Sequence, residues 1–416
     1  MADLYDRPEA MAPLAPAIDG ALQEVAQQVC NAANRLAGKL HPLTAQAVAT
    51  FLQPMNCYYS NLIEGHHTSP LDIERALKQD YREDRRNRNL QQEAYAHILT
   101  QQKLAERLAA VRESGTKINP YEPALWLWLH QEFYEHLPDD FREVKGSDGE
   151  MLRVVPGEMR TIPVVVGRHI APAAQALPAF VAHFAWFYKP ARTFNQVERI
   201  VHVAAAHHRF AWMHPFLDGN GRIGRLLSEA ALAADGLAAE GLWSVSRGLA
   251  RRKEEYKSQL ANADRQRDND LDGRGNLSEK ALRTFCLFFL ETALDQLYFM
   301  TKALDTDAML DQLRTLARLL TTQRKLPPEA GYILQEAFLR GSIARRDLAR
   351  VVGKSETTSR NLATRLVDMG LLSTGDRFSP YRVAYPVHFS PVLFPGLYPL
   401  GAEMEMMRVI ENLPPS

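Results

Sequence analysis

The sequence predicts a mainly α-helical protein carrying one short β-hairpin and ending in a winged-helix-like module. Three observations point that way. Apolar residues recur at helical spacing through most of the chain, with many alanines over 17–50. One β-branched run, Ile162 to Val166, sits in the glycine-bounded stretch "GEMRTIPVVVGRHIAP" and reads as a small hairpin. Near the end, "SIARRDLARVVGKSETTSRNLATRLVDMGLL" reads as a helix, a tight turn at Gly353, a second helix and an extended tail.

The elements follow in order. Residues 17–50 form a helix or helix pair, and 71–115 are charged and helical. In the latter, "REDRRNRN" is a solvated face, with a basic docking patch as the alternative. A helix over 120–138 carries Trp126, Trp128 and Leu129 on an apolar side. After the hairpin, helices resume at 173–188 and 195–212, and another runs from Arg222 to Ala234. Polar "ANADRQRDNDLDGRGNLS" is a long loop. Helices at 279–303 and 307–323 follow, and "QRKLPPEAG" marks a boundary. The five tryptophans read as core.

Composition narrows the function. A chain of 416 residues suits about two to three domains. Net charge is +0, which argues against a chain-wide nucleic-acid or membrane footprint and leaves only local patches. Three cysteines at unrelated spacings make neither a disulfide framework nor a zinc pattern. The N-terminus lacks a basic start followed by an apolar run, so it is not a signal peptide. The most apolar tract, "TFCLFFLETALDQLYFM", is broken by Glu291 and Asp295 and reads as a core helix. A soluble cytoplasmic protein with no membrane partner is expected.

The chemistry concentrates in "WMHPFLDGNGRIGR", Trp212 to Arg225. Gly219 and Gly221 let backbone amides approach an anion closely. Those amides open a helix, where unpaired N–H groups and the dipole favour negative charge. Arg222 and Arg225, three apart, share one helix face and can each fork onto phosphate oxygens. Asp218 is a hard oxygen ligand suited to Mg²⁺ held mainly by phosphate and water. His214 is a base for a hydroxyl near neutral pH. Together they suggest hydroxyl attack on a nucleotide phosphate. The plainer reading is a helix–loop–helix turn in which Asp218 caps the second helix. No Walker A sequence is present.

This stretch resembles the Fic (Fido) signature H-x-F-x-[DE]-G-N-G-R-x-x-R. His214, Phe216, Asp218, Gly219, Asn220, Gly221, Arg222 and Arg225 all match. A chance match has odds of roughly one in 10⁷ or less. His207, Phe210, His169 and Pro172 stand where that family has them, while Ala211 and Lys257 depart from its pattern. The resemblance implies transfer of AMP from Mg·ATP to a protein Ser, Thr or Tyr hydroxyl. His214 would deprotonate the acceptor. Asp218 would hold Mg²⁺. Gly219, Asn220 and Gly221 would form the anion nest, with Arg222 on the β-phosphate region and Arg225 on the γ-phosphate. Phe216, part of this ATP-binding loop, would anchor it in the core. Tyr256 would wall the adenine pocket, a core tyrosine being the alternative. Arg160, Thr161, Ile162, Val164, Val165 and Val166 would form a flap that docks the target by strand addition. The division expected is an N-terminal helical region over 1–114, a Fic-type helical core over 115–262, helices over 263–326 and the winged-helix-like part over 327–416.

"SNLIEG", Ser60 to Gly65, is similar to the inhibitory motif [ST]-x-x-x-E-[GN] of the class with an N-terminal inhibitory helix. Alone the pattern occurs by chance a few tenths of a time per chain; preceding a Fic-like core, it gains force. The resemblance implies that Glu64 engages Arg225 and denies it to ATP. A helix C-terminus with Gly65 in a left-handed cap is the plain alternative. His66 and His67 read as solvated or capping, and His202, His207 and His208 as packing.

In the C-terminal module Leu348, Val351, Leu362 and Leu366 point inward. Arg340, Arg345, Arg346, Arg350, Lys354, Arg360 and Arg365 stand against Asp347 and Glu356. DNA binding is one reading, and protein docking or dimer contact the favoured one. The function expected is autoinhibited protein adenylylation, with a homodimer implied by the resemblance. The alternatives are AMP removal, transfer of another phosphate-linked group, or a DNA-binding regulator.

Overall fold

The computed structural model describes residues 5–116, 118–146, 149–190 and 194–414. Helices dominate, at 65% against 4% strand, so the core is helix packed on helix. The N-terminal region comprises α1 (Gly20–Ala37), α2 (Pro42–Glu64), α3 (Pro70–Leu77) and α4 (Arg85–Glu113). The central region follows with α5 (Pro123–Glu135), hairpin β1 (Glu143–Lys145) and β2 (Met151–Arg153), and hairpin β3 (Val165–Val166) and β4 (His169–Ile170). It continues through α6 (Leu177–Tyr188), α7 (Gln196–Met213), α8 (Asn220–Ala234), α9 (Val245–Arg251) and α10 (Lys253–Ala263). The rest comprises α11 (Glu279–Ala303), α12 (Thr306–Thr322), α13 (Ala330–Arg340), α14 (Leu348–Val352), α15 (Glu356–Asp368), hairpin β5 (Leu372–Ser373) and β6 (Arg382–Val383), α16 (Ser390–Leu393) and α17 (Leu400–Glu411).

Local signals set these boundaries. Asn195 and Glu198 form a reciprocal capping box at the start of α7. Pro42 opens α2 at a position where its missing N–H costs nothing. Gly65 ends α2 at φ +92°, its N–H donating to the carbonyls of Asn61 and Leu62. The left-handed cap at Gly65 is therefore present, and it fixes where the side chain before it points.

One continuous core joins the regions. α1 lies along α11 and α7, and α2 packs against α4, α8 and α9. Cys30, Cys57 and Cys286 are buried free thiols. Among the described residues no helix is long and apolar enough to cross a membrane. The apolar tract in α11 is core, with Phe285, Phe289 and Leu290 at most 1% exposed.

The last part also closes onto α2. Ile343 forms an isolated antiparallel bridge with Tyr381, the residue before β6. The Tyr59 hydroxyl of α2 donates to the Leu397 carbonyl, which Arg247 Nε of α9 also reaches. Thr44 Oγ1 donates to Phe338 O. Residues after β6 thus return to cover α2.

Four expectations change. The β-branched run is a strand only at Val165–Val166, pairing with Ile170 and His169; Ile162 lies outside the ladder. The β1–β2 hairpin comes from no strand pattern in the sequence. Trp186 is 73% exposed rather than core, because α6 buries its Phe180–Phe184–Tyr188 face. Val352, not Val351, is the buried partner of Leu348.

Candidate functional site

The loop between α7 and α8 is held by its own residues. His214 ends α7 in the left-handed region, φ +47°, a strained place for a non-glycine residue. Arg160 secures it: the backbone N donates to Pro215 O, and Nε, Nη1 and Nη2 donate to the carbonyls of His214, Ile162 and Pro172. Arg160 is 5% exposed, so it is a staple between hairpin and loop and not a docking surface as expected from sequence. His169 Nε2 meets Trp212 O at 2.7 Å on the same side.

Phe216 and Asn220 face inward. Phe216 is fully buried and stacked on His130, centroids 4.0 Å apart. The Asn220 side chain accepts from Phe216 N and donates to Phe216 O, closing the loop on itself. Phe216 thus lies in the core and the Asn220 side chain is engaged within the loop, at the start of α8. His130 ties the loop to Gly157, between β2 and β3: Nδ1 accepts from Gly157 N, so Nε2 carries the proton toward Asp218 O.

Gly219 sits at φ +83° as the N-cap of α8 with no side-chain cap bond. Asp218 therefore does not cap that helix. Its Oδ2 accepts from the Tyr134 hydroxyl at 2.6 Å and faces Arg222 Nη2 at 3.4 Å. At 41% side-chain exposure, this carboxylate fits a Mg²⁺ ion that draws its other ligands from phosphate and water.

Two arginines rise from α8. Arg225 is 2% exposed. Its Nε donates to Ser60 Oγ at 2.9 Å, and its Nη2 to Ser60 O at 3.1 Å and Glu64 Oε1 at 2.6 Å. Asn56 Nδ2 bonds Glu229 Oε1 two turns earlier on α2. Residues 56, 60 and 64 thus make one stripe of α2 facing 225 and 229 of α8, the four-residue spacing of neighbours on a helix. Burial alone would raise the Glu64 carboxyl; the charges of Arg225 and Arg222 and the Arg225 hydrogen bond outweigh it and hold it below the usual glutamate value. A Cβ at Gly221 would fall 2.2 Å from Glu64 Oε1, so glycine is what lets the carboxylate lie against the backbone at the start of α8. That is where such a helix end receives an anion.

Arg222 is clamped by a residue that sequence reasoning missed. Its Nη1 pairs with buried Glu93 of α4, whose other oxygen meets His66 Nδ1 at 2.6 Å. His66 is therefore engaged, not merely solvated. The visible signal was a polar stripe, Glu93, His97 and Gln101, on an otherwise apolar helix face.

Burial lowers His214 to about 4, with Arg160 and His169 adding and the Ala211 carbonyl opposing. Its imidazole is neutral at pH 7 and able to accept a proton. Tyr256 is 4% exposed, its hydroxyl 2.7 Å from His207 Nε2, so the core alternative describes its position better than a pocket wall. His207 Nδ1 contacts Ser228 Oγ, and His208 meets Asp264; both are packing histidines.

A neutral base, an amide cradle and two forked cations stand together on one helical scaffold, an arrangement with the chemistry to receive an anion. Residues 120–232 match the Fic/DOC family model, and the chain carries a Fic/DOC family domain. It is 32% identical over 108 residues to "Protein adenylyltransferase Fic" of Drosophila mojavensis, covering 26% of this chain and 21% of that protein. It is 39% identical over 82 residues to the protein of the same name from Aedes aegypti, covering 19% and 16%. The match thus spans about a fifth of those relatives' length. A crystal structure of a Fic family protein from Desulfovibrio desulfuricans G20 shares the fold, with TM-score 0.50 at 17% identity over 88% of this chain and 97% of that one.

Proposed function

We propose that this protein transfers AMP from Mg·ATP to a hydroxyl of a protein, and that Glu64 restrains it. The observation that carries this reading is the cradle itself, with the Glu64 carboxylate lying against Gly221 and Arg225 where a phosphate group would lie. His214 takes the acceptor's proton while the hydroxyl oxygen bonds to the α-phosphorus. The bond from that phosphorus to the bridging oxygen breaks, and pyrophosphate leaves. Helix-start amides and Arg222 and Arg225 stabilise the charge that develops, which is the main catalytic term in such transfers. A Mg²⁺ held by Asp218 would supply further neutralisation of phosphate charge.

Val165 and Val166 are 60% and 43% exposed, and the edge of β3 away from β4 can take an extended target segment by strand addition. The order of α13, the Ile343 bridge, α14, α15 and β5–β6 supports a winged-helix reading of the C-terminal module. Its basic residues are largely engaged at home: Arg340 and Arg350 with Glu336, Lys354 with Glu329, Arg360 with Glu356, and Arg345 with the Ser379 and Asp376 carbonyls. This favours protein contact over DNA for that module.

Intact-mass spectrometry after incubating the Glu64→Gly variant with Mg·ATP tests the reading. An AMP-sized gain that His214→Ala abolishes is expected; no gain on the variant or on added protein would refute it.

A further inference from the structure

The two α8 arginines are held in different ways. The Glu64 side chain, on Arg225, is 31% exposed at the end of α2. Glu93, on Arg222, is 3% exposed in the interior of α4, and its second oxygen is taken by His66. Arg222 itself is 6% exposed, with its guanidinium over the Phe133 ring, 4.7 Å from the centroid. Its Nε is buried without a hydrogen-bond partner among the described residues, and Nη2 has only the long contact to Asp218. Glu93 is therefore the principal anchor of this cation, and one that cannot swing aside as Glu64 can. Removing one partner of a buried pair leaves the other charge uncompensated, so this contact persists when the site fills.

We infer that Glu93 is a positioning residue of the nucleotide site: it holds the Arg222 guanidinium over the Phe133 ring, pre-ordered beside Asp218 for the phosphate chain. Glu64 occupies its arginine and must leave; Glu93 orients its arginine and stays. The inference rests on the reading above only in requiring that the site binds ATP. An arginine released from Glu93 would have to be ordered by each incoming nucleotide, and the rotamer freedom lost is worth about tenfold in affinity.

The test uses the Glu64→Gly/His214→Ala protein, unrestrained and unable to modify itself, titrated with Mg·ATP in a calorimeter. Adding Glu93→Gln, of the same shape without the charge, is expected to weaken binding about tenfold, and Glu93→Asp by less. Arg222→Ala weakens it at least as much, and Glu93→Gln added to Arg222→Ala changes nothing further, because the glutamate acts through that arginine. A packing role would instead multiply the two losses. Unchanged or tighter binding by the Gln variant, or losses that multiply, overturns the inference; the Asp variant carries the same comparison if the Gln variant fails to fold. The measurement needs no turnover. If the reference protein binds ATP while its His214 counterpart transfers nothing, the transfer reading falls and Glu93 is still judged by affinity. A reference that binds no ATP overturns both.

Discussion

Replacing Glu64 by glycine perturbs one well-defined contact. The carboxylate lies 2.6 Å from Arg225 Nη2. Arg225 keeps two acceptors, Ser60 Oγ and Ser60 O, so the guanidinium stays in place and the fold survives. A hydrogen bond to a charged group contributes roughly 1.5–3 kcal/mol. The Glu64 side chain is 31% exposed, and solvent screening favours the low end, about 1.5–2 kcal/mol. If the γ-phosphate competes for the same guanidinium, that energy returns as about ten- to thirtyfold faster AMP incorporation at subsaturating ATP. The assay is a time course of intact mass for the parent, Glu64→Gly and Glu64→Gly/His214→Ala proteins. Glu64→Gln, which keeps the hydrogen bond and loses the charge, should fall between parent and glycine variant. A glycine variant within about twofold of the parent would refute the competition argument, and label in the His214→Ala form would refute the role of that imidazole.

Other outcomes follow from the same geometry. Because His214 is lowered to about 4, it is neutral above that value and loses base function only as pH falls through it. In the Glu64→Gly protein, kcat/KM should stay flat between pH 6 and 8, by the rule that this ratio reports groups of the free enzyme; a fall centred near 6.5 would contradict this. A methyl at Gly221 meets Glu64 Oε1 at 2.2 Å, so Gly221→Ala should displace that carboxylate and shift the melting temperature less favourably in the parent than in the Glu64→Gly background; equal shifts would contradict this. Burial raises Glu229 to about 7 against the bonds from Ser244 and Asn56. A carboxyl raised in the folded state contributes stability fully present below its unfolded value, near 4.5, and lost as pH rises through 7. Denaturant titrations should show a loss of up to about 3 kcal/mol across that window that Glu229→Gln removes; an unchanged slope would count against it.

The loop from Trp212 to Arg225 was legible because its parts are close in the chain: a helix end, two glycines and two arginines three apart create the cradle wherever the domain sits. The stacking of Phe216 on His130 and the closing of the loop by the Asn220 side chain were not visible in the motif, because they depend on contacts made in the fold. Arg160 was placed in a docking flap. Its guanidinium lies instead among the carbonyls of His214, Ile162 and Pro172, contacts that only the folded chain assembles.

Local order, periodicity and caps thus follow from neighbours in the chain, because hydrogen-bonded helices and their ends need only nearby residues. The pairing of acids with cations does not. Glu64 lies 161 residues from Arg225 and Glu93 lies 129 from Arg222. The first pairing was named only through the likeness of Ser60–Gly65 to a known motif, and nothing in the sequence named the second: a buried charge takes whichever partner the packing of α2 and α4 on α8 brings within reach.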